Sequence, residues 1–196
     1  MRTFLCIPVE PNIRKRIVSV ANELQSRVDT YASWVQPANY HVTVRFLGEI
    51  DPMLTVDLKE ACQGVAAQIP PFDISLDRVD GFPNLDRARV LWVGGEAPEA
   101  FRSLLTLVDS SLFTLGFPHA RMESLAHITI ARVKGRVHTP LSRSVAQVTQ
   151  PAWVLHAKHL VLMESRLTPR GAIYSPLFTL PFSAGAHVGG ESENGV

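Results

Sequence analysis

The chain has 196 residues, 46% apolar, 8% aromatic and 19% charged, which suits one domain with a hydrophobic core and is too apolar for a disordered chain. Its 19 Lys and Arg against 18 Asp and Glu leave a formal charge of +1, so no global field draws it to nucleic acid or membrane, and any recognition of RNA must be local. No run of about 18 apolar residues exists, which excludes a helical bilayer span, and the segment from Met1 to Pro11 is too soon interrupted for a signal peptide. A cytoplasmic protein is expected.

In chain order, residues 2–9 form an apolar run that reads as a buried strand. Ile13, Ile17, Val20, Leu24 and Val28 follow on one helical face, with Pro11 near the start, where a missing N–H does no harm. Residues 40–47 alternate as a strand stopped by Gly48, and Leu54, Leu58, Cys62 and Val65 mark a second helix ending near Pro70-Pro71. Strands are expected at 72–79 and 88–94, joined through a turn region at Gly81-Phe82-Pro83-Asn84. Phe101, Leu104, Leu105, Val108, Leu112 and Leu115 make a third helix closed by Gly116. A strand at 127–133, a short helix from Thr139-Pro140 and strands at 153–163 and 171–181 complete the pattern, and 183–196 reads as a flexible tail. Cys6 and Cys62 make no metal spacing and read as buried free thiols.

The order strand, helix, strand occurs twice. Displaced by 86 residues, Phe4-Leu5-Cys6-Ile7 falls on Val90-Leu91-Trp92-Val93, and His41-Val42-Thr43-Val44 falls on His127-Ile128-Thr129-Ile130. The expectation is an α+β fold: two lobes of antiparallel sheet with outer helices, an approximate two-fold internal duplication, and a central cleft where two strands face each other. Residues 1–182 then form a single two-lobed domain.

His-apolar-Thr-apolar is the informative pattern. With 7 His and 11 Thr, a shuffled chain holds about 0.1 copies; this one holds two. Side chains alternate across a strand, so His41 and Thr43 share one face and Val42 and Val44 the other; His127 and Thr129 do the same. Imidazole titrates near neutrality, so one ring can be neutral and accept a proton while the other is charged and donates one. The threonine hydroxyls can donate to the non-bridging oxygens of a phosphate between them. This is metal-free acid–base phosphoryl transfer, best suited to a strained ester such as a 2′,3′-cyclic phosphate. Arg45 has the strand parity of His41 and is expected to add charge there. Arg132 has the opposite parity to Thr129, and strand twist is expected to bring it round. Arg121, Arg132, Lys134, Arg136 and Arg143 against Glu123 make a local excess of positive charge that can receive an anionic chain.

The other histidines lack the pattern. His119, His138, His156, His159 and His187 read as surface or core residues, and His156 and His159 have no evident third ligand for zinc. Trp34, Tyr40 and Phe46 can stack on a base or fill the core, and Trp92 and Trp153 read as core. Gly94-Gly95 and Gly189-Gly190 lack the Lys-Ser/Thr of a nucleotide loop, so ATP dependence is not expected.

The stretch Pro37-Ala38-Asn39-Tyr40-His41-Val42-Thr43-Val44-Arg45-Phe46-Leu47-Gly48, with His127-Ile128-Thr129-Ile130-Ala131-Arg132, resembles the two-histidine phosphoesterase superfamily, and within it the RNA 2′,3′-cyclic phosphodiesterases, also called 2′-5′ RNA ligases. Arg89-Val90-Leu91-Trp92 and Gly171-Ala172-Ile173-Tyr174 add to the likeness. The resemblance implies hydrolysis of RNA cyclic ends to 2′-phosphomonoesters, with reversible 2′-5′ joining as a side activity. It implies His41 as proton donor to the leaving 3′ oxygen, His127 as the acceptor that activates water, and Thr43, Thr129 and Arg132 as phosphate ligands. No cofactor or metal is expected. The expected partners are RNA ends, tRNA fragments among them, or small cyclic phosphates, acted on by a monomer. Two other readings compete: a phosphodiesterase for a small cyclic phosphate or 2′-5′ oligonucleotide, and a non-catalytic RNA-binding module of the same fold.

Overall fold

A computed structural model describes residues 1–28, 31–120, 125–135, 140–169 and 171–183. The first half runs β1 (Arg2–Pro8), α1 (Pro11–Gln25), a short β2 (Ala32–Trp34), β3 (His41–Glu49), α2 (Thr55–Ala66), β4 (Phe72–Leu76) and β5 (Arg78–Phe82). The second runs β6 (Val90–Glu96), α3 (Glu99–Thr114), β7 (Leu125–Val133), α4 (Leu141–Ala146), β8 (Trp153–Ala157) and β9 (His159–Thr168), with β10 (Gly171–Pro181) closing the chain. Both long helices follow the apolar spacing of the sequence. Ile13, Ile17, Val20 and Leu24 bury one face of α1, and Phe101, Leu104, Leu105, Val108 and Leu112 one face of α3.

Seven strands lie in the order β10-β9-β1-β3-β7-β6-β5, with β2 added beside β7, and every pairing is antiparallel. The two expected sheets are thus two leaves of one, joined where β3 meets β7 through the pair Val42 and Ile128. These two residues are themselves 86 apart, so the approximate two-fold axis passes between them. The register bears the symmetry out strand by strand. Pro8 pairs with His41, Ile7 with Val42, Cys6 with Thr43, Leu5 with Arg45 and Phe4 with Phe46. Carried 86 residues on, these are Gly94 with His127, Val93 with Ile128, Trp92 with Thr129, Leu91 with Ala131 and Val90 with Arg132.

Two expected strands are each divided. Residues 72–79 bend at Asp77 into β4 and β5, and residues 153–163 bend at Lys158 into β8 and β9. The first pieces leave the main sheet and pair with each other, Ile74 opposite Leu155. The second pieces change sides: β5, from the first half, borders β6, and β9, from the second half, borders β1. Periodicity alone merged the pieces because neither bend carries a glycine or proline and strand-like residues follow on both sides. The sequence reading also missed β2, three residues without alternation, and it stopped β3 at Gly48, whereas the strand continues to Glu49 with Gly48 at φ 76°.

Side chains on the two faces of the sheet meet different surroundings. Leu5, Ile7, Val42, Leu91, Val93 and Ile128 lie on the helix side in the main core. On the other face Phe4, Cys6 and Val161 form a separate small cluster under the cleft. Both cysteines are buried and unbridged, and burial pushes each thiol up to about 12. The Ser183 N–H donates to the Ala66 carbonyl at the end of α2; the rest of the expected tail lies outside the described residues. No described helix is long and apolar enough to cross a membrane.

Candidate active site

A cleft of about 390 Å³ opens on the sheet face away from the helices, and His41, Thr43, His127, Thr129 and Arg132 all line it. The sequence pattern and the fold therefore converge on one place. The His127 strand runs especially close to its neighbour. Gly94 faces His127, and a Cβ built on it would lie 2.9 Å from the His127 Cα, so the Gly94-Gly95 pair serves close strand approach and not phosphate binding.

The two imidazoles are each held against two aromatic rings. His41 lies 4.7 Å from Phe4 and, edge-on, 5.5 Å from Tyr174. His127 lies edge-on to Phe82 at 4.9 Å and 5.9 Å from Trp92. Such walls fix ring orientation and exclude water. His41 Nδ1 donates to the Asn39 carbonyl at 2.7 Å, which leaves Nε2 as the nitrogen for proton traffic. Asn39 is in turn anchored by its Nδ2, which donates to the Ala172 carbonyl of β10. Burial lowers the His41 pKa from its ordinary 6.5; the Asn39 bond opposes this, and the positive charges of His127 and Arg132 add to the lowering. An anionic phosphate in the cleft would act in the opposite direction.

The arginines depart from strict alternation, and the reason is the same in both strands. Between Thr43 and Arg45 the register with β1 slips by one residue, and between Thr129 and Ala131 the register with β6 does so too. Each motif strand carries a β-bulge, at Val44 and at Ile130, and a bulge reverses which face the following residues take. Arg132 therefore joins His127 and Thr129 on the cleft face, and twist is not needed to bring it there. Arg45 is turned the other way. It borders the cleft, but its guanidinium is buried, donating to Asp109 Oδ1 of α3 at 3.1 Å and to the Pro118 carbonyl. The Ala120 N–H and the Arg45 and His119 side chains hold the Asp109 carboxyl down at about 2. Arg45 is thus a strut between α3 and the segment at 118–120 that borders the cleft, and its charge is spent on Asp109. The cleft-facing position expected of it belongs to Phe46, 64% exposed and lining the same cleft.

Of the other aromatic candidates, Tyr40 is core and Trp34 packs partly buried against the core. Trp92 is 1% exposed. Sequence reasoning missed Asn39, Phe4 and Phe82 as supports of the histidines; the repeat points to Phe4 only because it lies in the strand beside the first motif. His156 Nδ1 donates to Asp73 Oδ1 at 2.6 Å on the exposed side of β8, and among the described residues no three His, Cys, Asp or Glu side chains gather as a metal site. Of the basic stretch, Arg132, Lys134 and Arg143 are described, whereas Arg121, Glu123 and Arg136 lie outside the described residues, as do His138 and His187.

Residues 7–92 match the family model described as LigT like phosphoesterase. An RNA 2′,3′-cyclic phosphodiesterase of Archaeoglobus fulgidus is 32% identical over 178 residues, spanning 90% of this chain and 98% of that protein. One from Methanocaldococcus jannaschii is also 32% identical, over 89% of this chain and 96% of that protein. Among solved structures, a Thermus thermophilus protein superposes with a TM-score of 0.79 at 22% identity, covering 95% of this chain and all (100%) of that one. Escherichia coli LigT complexed with 3′-AMP gives 0.75 at 22% identity, over 93% and 98% of the two chains. At that identity the structures speak for the fold.

Proposed function

The chain belongs to the LigT-like phosphoesterase family, and on that footing we propose that it hydrolyses RNA 2′,3′-cyclic phosphate ends to 2′-phosphomonoesters through His41 and His127. The observation that carries this reading is the convergence of both His-x-Thr units, related by the two-fold repeat, on one cleft with Arg132.

The cyclic phosphate sits between the lobes, its non-bridging oxygens accepting from Thr43 and Thr129 and facing the Arg132 guanidinium. His127, neutral, takes a proton from water as the water oxygen bonds to phosphorus. His41, protonated at Nε2, gives its proton to the 3′ oxygen as the P–O3′ bond breaks. The products are a 2′-phosphomonoester and a free 3′-hydroxyl, and the two rings return to their starting states by proton exchange with solvent. Each proton transfer is of the kind worth about 10²–10⁴ in rate. The donor and acceptor roles follow the family resemblance. In the empty cleft the lowered His41 favours its neutral form, so the role of donor depends on the bound anion raising it. With a ribose 5′-hydroxyl in place of water, its oxygen bonding to phosphorus as the P–O3′ bond breaks, the same chemistry yields a 2′-5′ linkage, the reverse of opening such a bond to the cyclic ester.

The test is ³¹P NMR of a 2′,3′-cyclic-ended oligonucleotide incubated with the protein and EDTA. Accumulation of a 2′-phosphomonoester is expected. A 3′-monoester, or activity lost to chelation and restored by zinc, overturns the proposal.

A further inference from the structure

The cleft face of β7 does not end at Arg132. Along its free side β2 pairs Trp34 with Ala131, Ala32 with Val133 and Ser33 with Arg132. The Lys134 N–H donates to the Tyr31 carbonyl at 2.9 Å, which extends the same register by one step. Alternation then assigns Ala131, Val133, Ala32 and Trp34 to the helix side, and Arg132, Ser33, Lys134 and Tyr31 to the cleft side. Burial agrees: Ala131 and Val133 are in the core, Arg132, Ser33 and Lys134 are exposed, and Tyr31 is 71% exposed. Neither Arg132 nor Lys134 makes an ion pair with another described residue.

The other lobe supplies a control built into the molecule. Displaced by 86 residues, Arg132 becomes Phe46 and Lys134 becomes Gly48, followed at once by Glu49. One rim of the cleft is therefore basic and carries an exposed phenol ring; its symmetric counterpart has no cation at these places and an acid beside them. Lys134 stands two strand residues, about 7 Å, beyond Arg132, which is close to the step between successive phosphates in an extended strand. Tyr31 directly across from it offers an aromatic face of the kind on which a base stacks.

From this juxtaposition we propose that Tyr31 and Lys134 form a subsite for the nucleotide preceding the cyclic end, so that single-stranded RNA leaves the cleft over the β2–β7 rim. The inference rests on the RNA-end reading above and sharpens it: the preferred substrate is an oligonucleotide and not a cyclic mononucleotide.

Two probes test it, a fluorescein-labelled hexanucleotide ending in a 2′,3′-cyclic phosphate and a nucleoside 2′,3′-cyclic monophosphate, each with wild type, Lys134→Ala, Tyr31→Ala and the double variant. The double variant should raise KM for the hexanucleotide about tenfold with kcat little changed, while kinetics on the cyclic mononucleotide stay at wild-type values. Lys134→Ala should make the salt dependence shallower by about 0.7 in the log–log slope, and Lys134→Arg should restore it. Equal losses on both probes, or unchanged hexanucleotide KM, overturn the subsite. Fluorescence anisotropy of the hexanucleotide separates the two claims. Binding that weakens in Lys134→Ala without any cleavage by wild type keeps the subsite and sinks the proposed reaction; cleavage with Lys134-independent binding does the reverse.

Discussion

In β3 and β7 the backbone does the same thing twice: histidine, one buried residue, threonine, a bulged residue, then a pair of positions with reversed facing. What occupies that last pair differs. β3 has Arg45 on the helix side and Phe46 toward the cleft, whereas β7 has Ala131 on the helix side and Arg132 toward the cleft. Duplicated backbone geometry thus supplies two matched imidazole–hydroxyl units, and the residues after the bulge break the electrostatic symmetry, giving the cleft one charged wall and one aromatic wall. On the proposed mechanism, a near-symmetric pair of histidines takes distinct roles from such unequal surroundings.

The comparison can be broken hardest at the histidines. His41→Ala or His127→Ala should each lower kcat for a cyclic-ended oligonucleotide by about 10²–10⁴ and should each remove one limb of the pH–rate bell, read by steady-state kinetics from acid to alkaline pH. If both variants lost the same limb, the two rings would not be an acid and a base. Arg132→Gln comes next, with a loss of about 10-fold to 100-fold for one charge-assisted contact. The sign of its effect on His41 is fixed: a guanidinium nearby disfavours the imidazolium, so removing it moves the His41 titration upward toward 6.5 in a proton NMR titration of the apo protein. Thr43→Val and Thr129→Val each forfeit one neutral donor, worth about 1 kcal/mol or a fivefold loss, and single-turnover rates should show them alike. Arg45→Met should have the smallest effect on rate and a clear one on stability, about 1–3 kcal/mol by chemical denaturation, because it leaves the buried Asp109 carboxylate with only the Ala120 N–H and His119 as donors. A phosphate-binding Arg45 would show the opposite split.

The sequence carried the meeting of the motif residues in one cleft better than it carried the path of the chain. His41, Thr43, His127 and Thr129 were legible because a strand's two-residue period and a repeat displacement are both visible as spacing. Arg45 was misplaced in facing, and Arg132 reaches the cleft by a bulge where twist was expected, because a bulge inserts one residue without changing composition; only the register reveals it. The bends at Asp77 and Lys158 were hidden because no glycine or proline marks either one and strand-like alternation resumes beyond it. The supports of the site were out of reach of any pattern. Asn39, Phe4 and Phe82 act through contacts fixed by tertiary structure, with Asn39 tied to β10 across 133 residues of chain.

The most direct measurement is the single-turnover rate of the His41→Ala/His127→Ala double variant beside each single one. Groups that act in the same transition state are strongly non-additive, so the double variant should be no more than a few-fold slower than the slower single variant. Rate losses that multiply would mean that the two rings contribute independently, and the coupled proton transfer across the two-fold axis would be wrong.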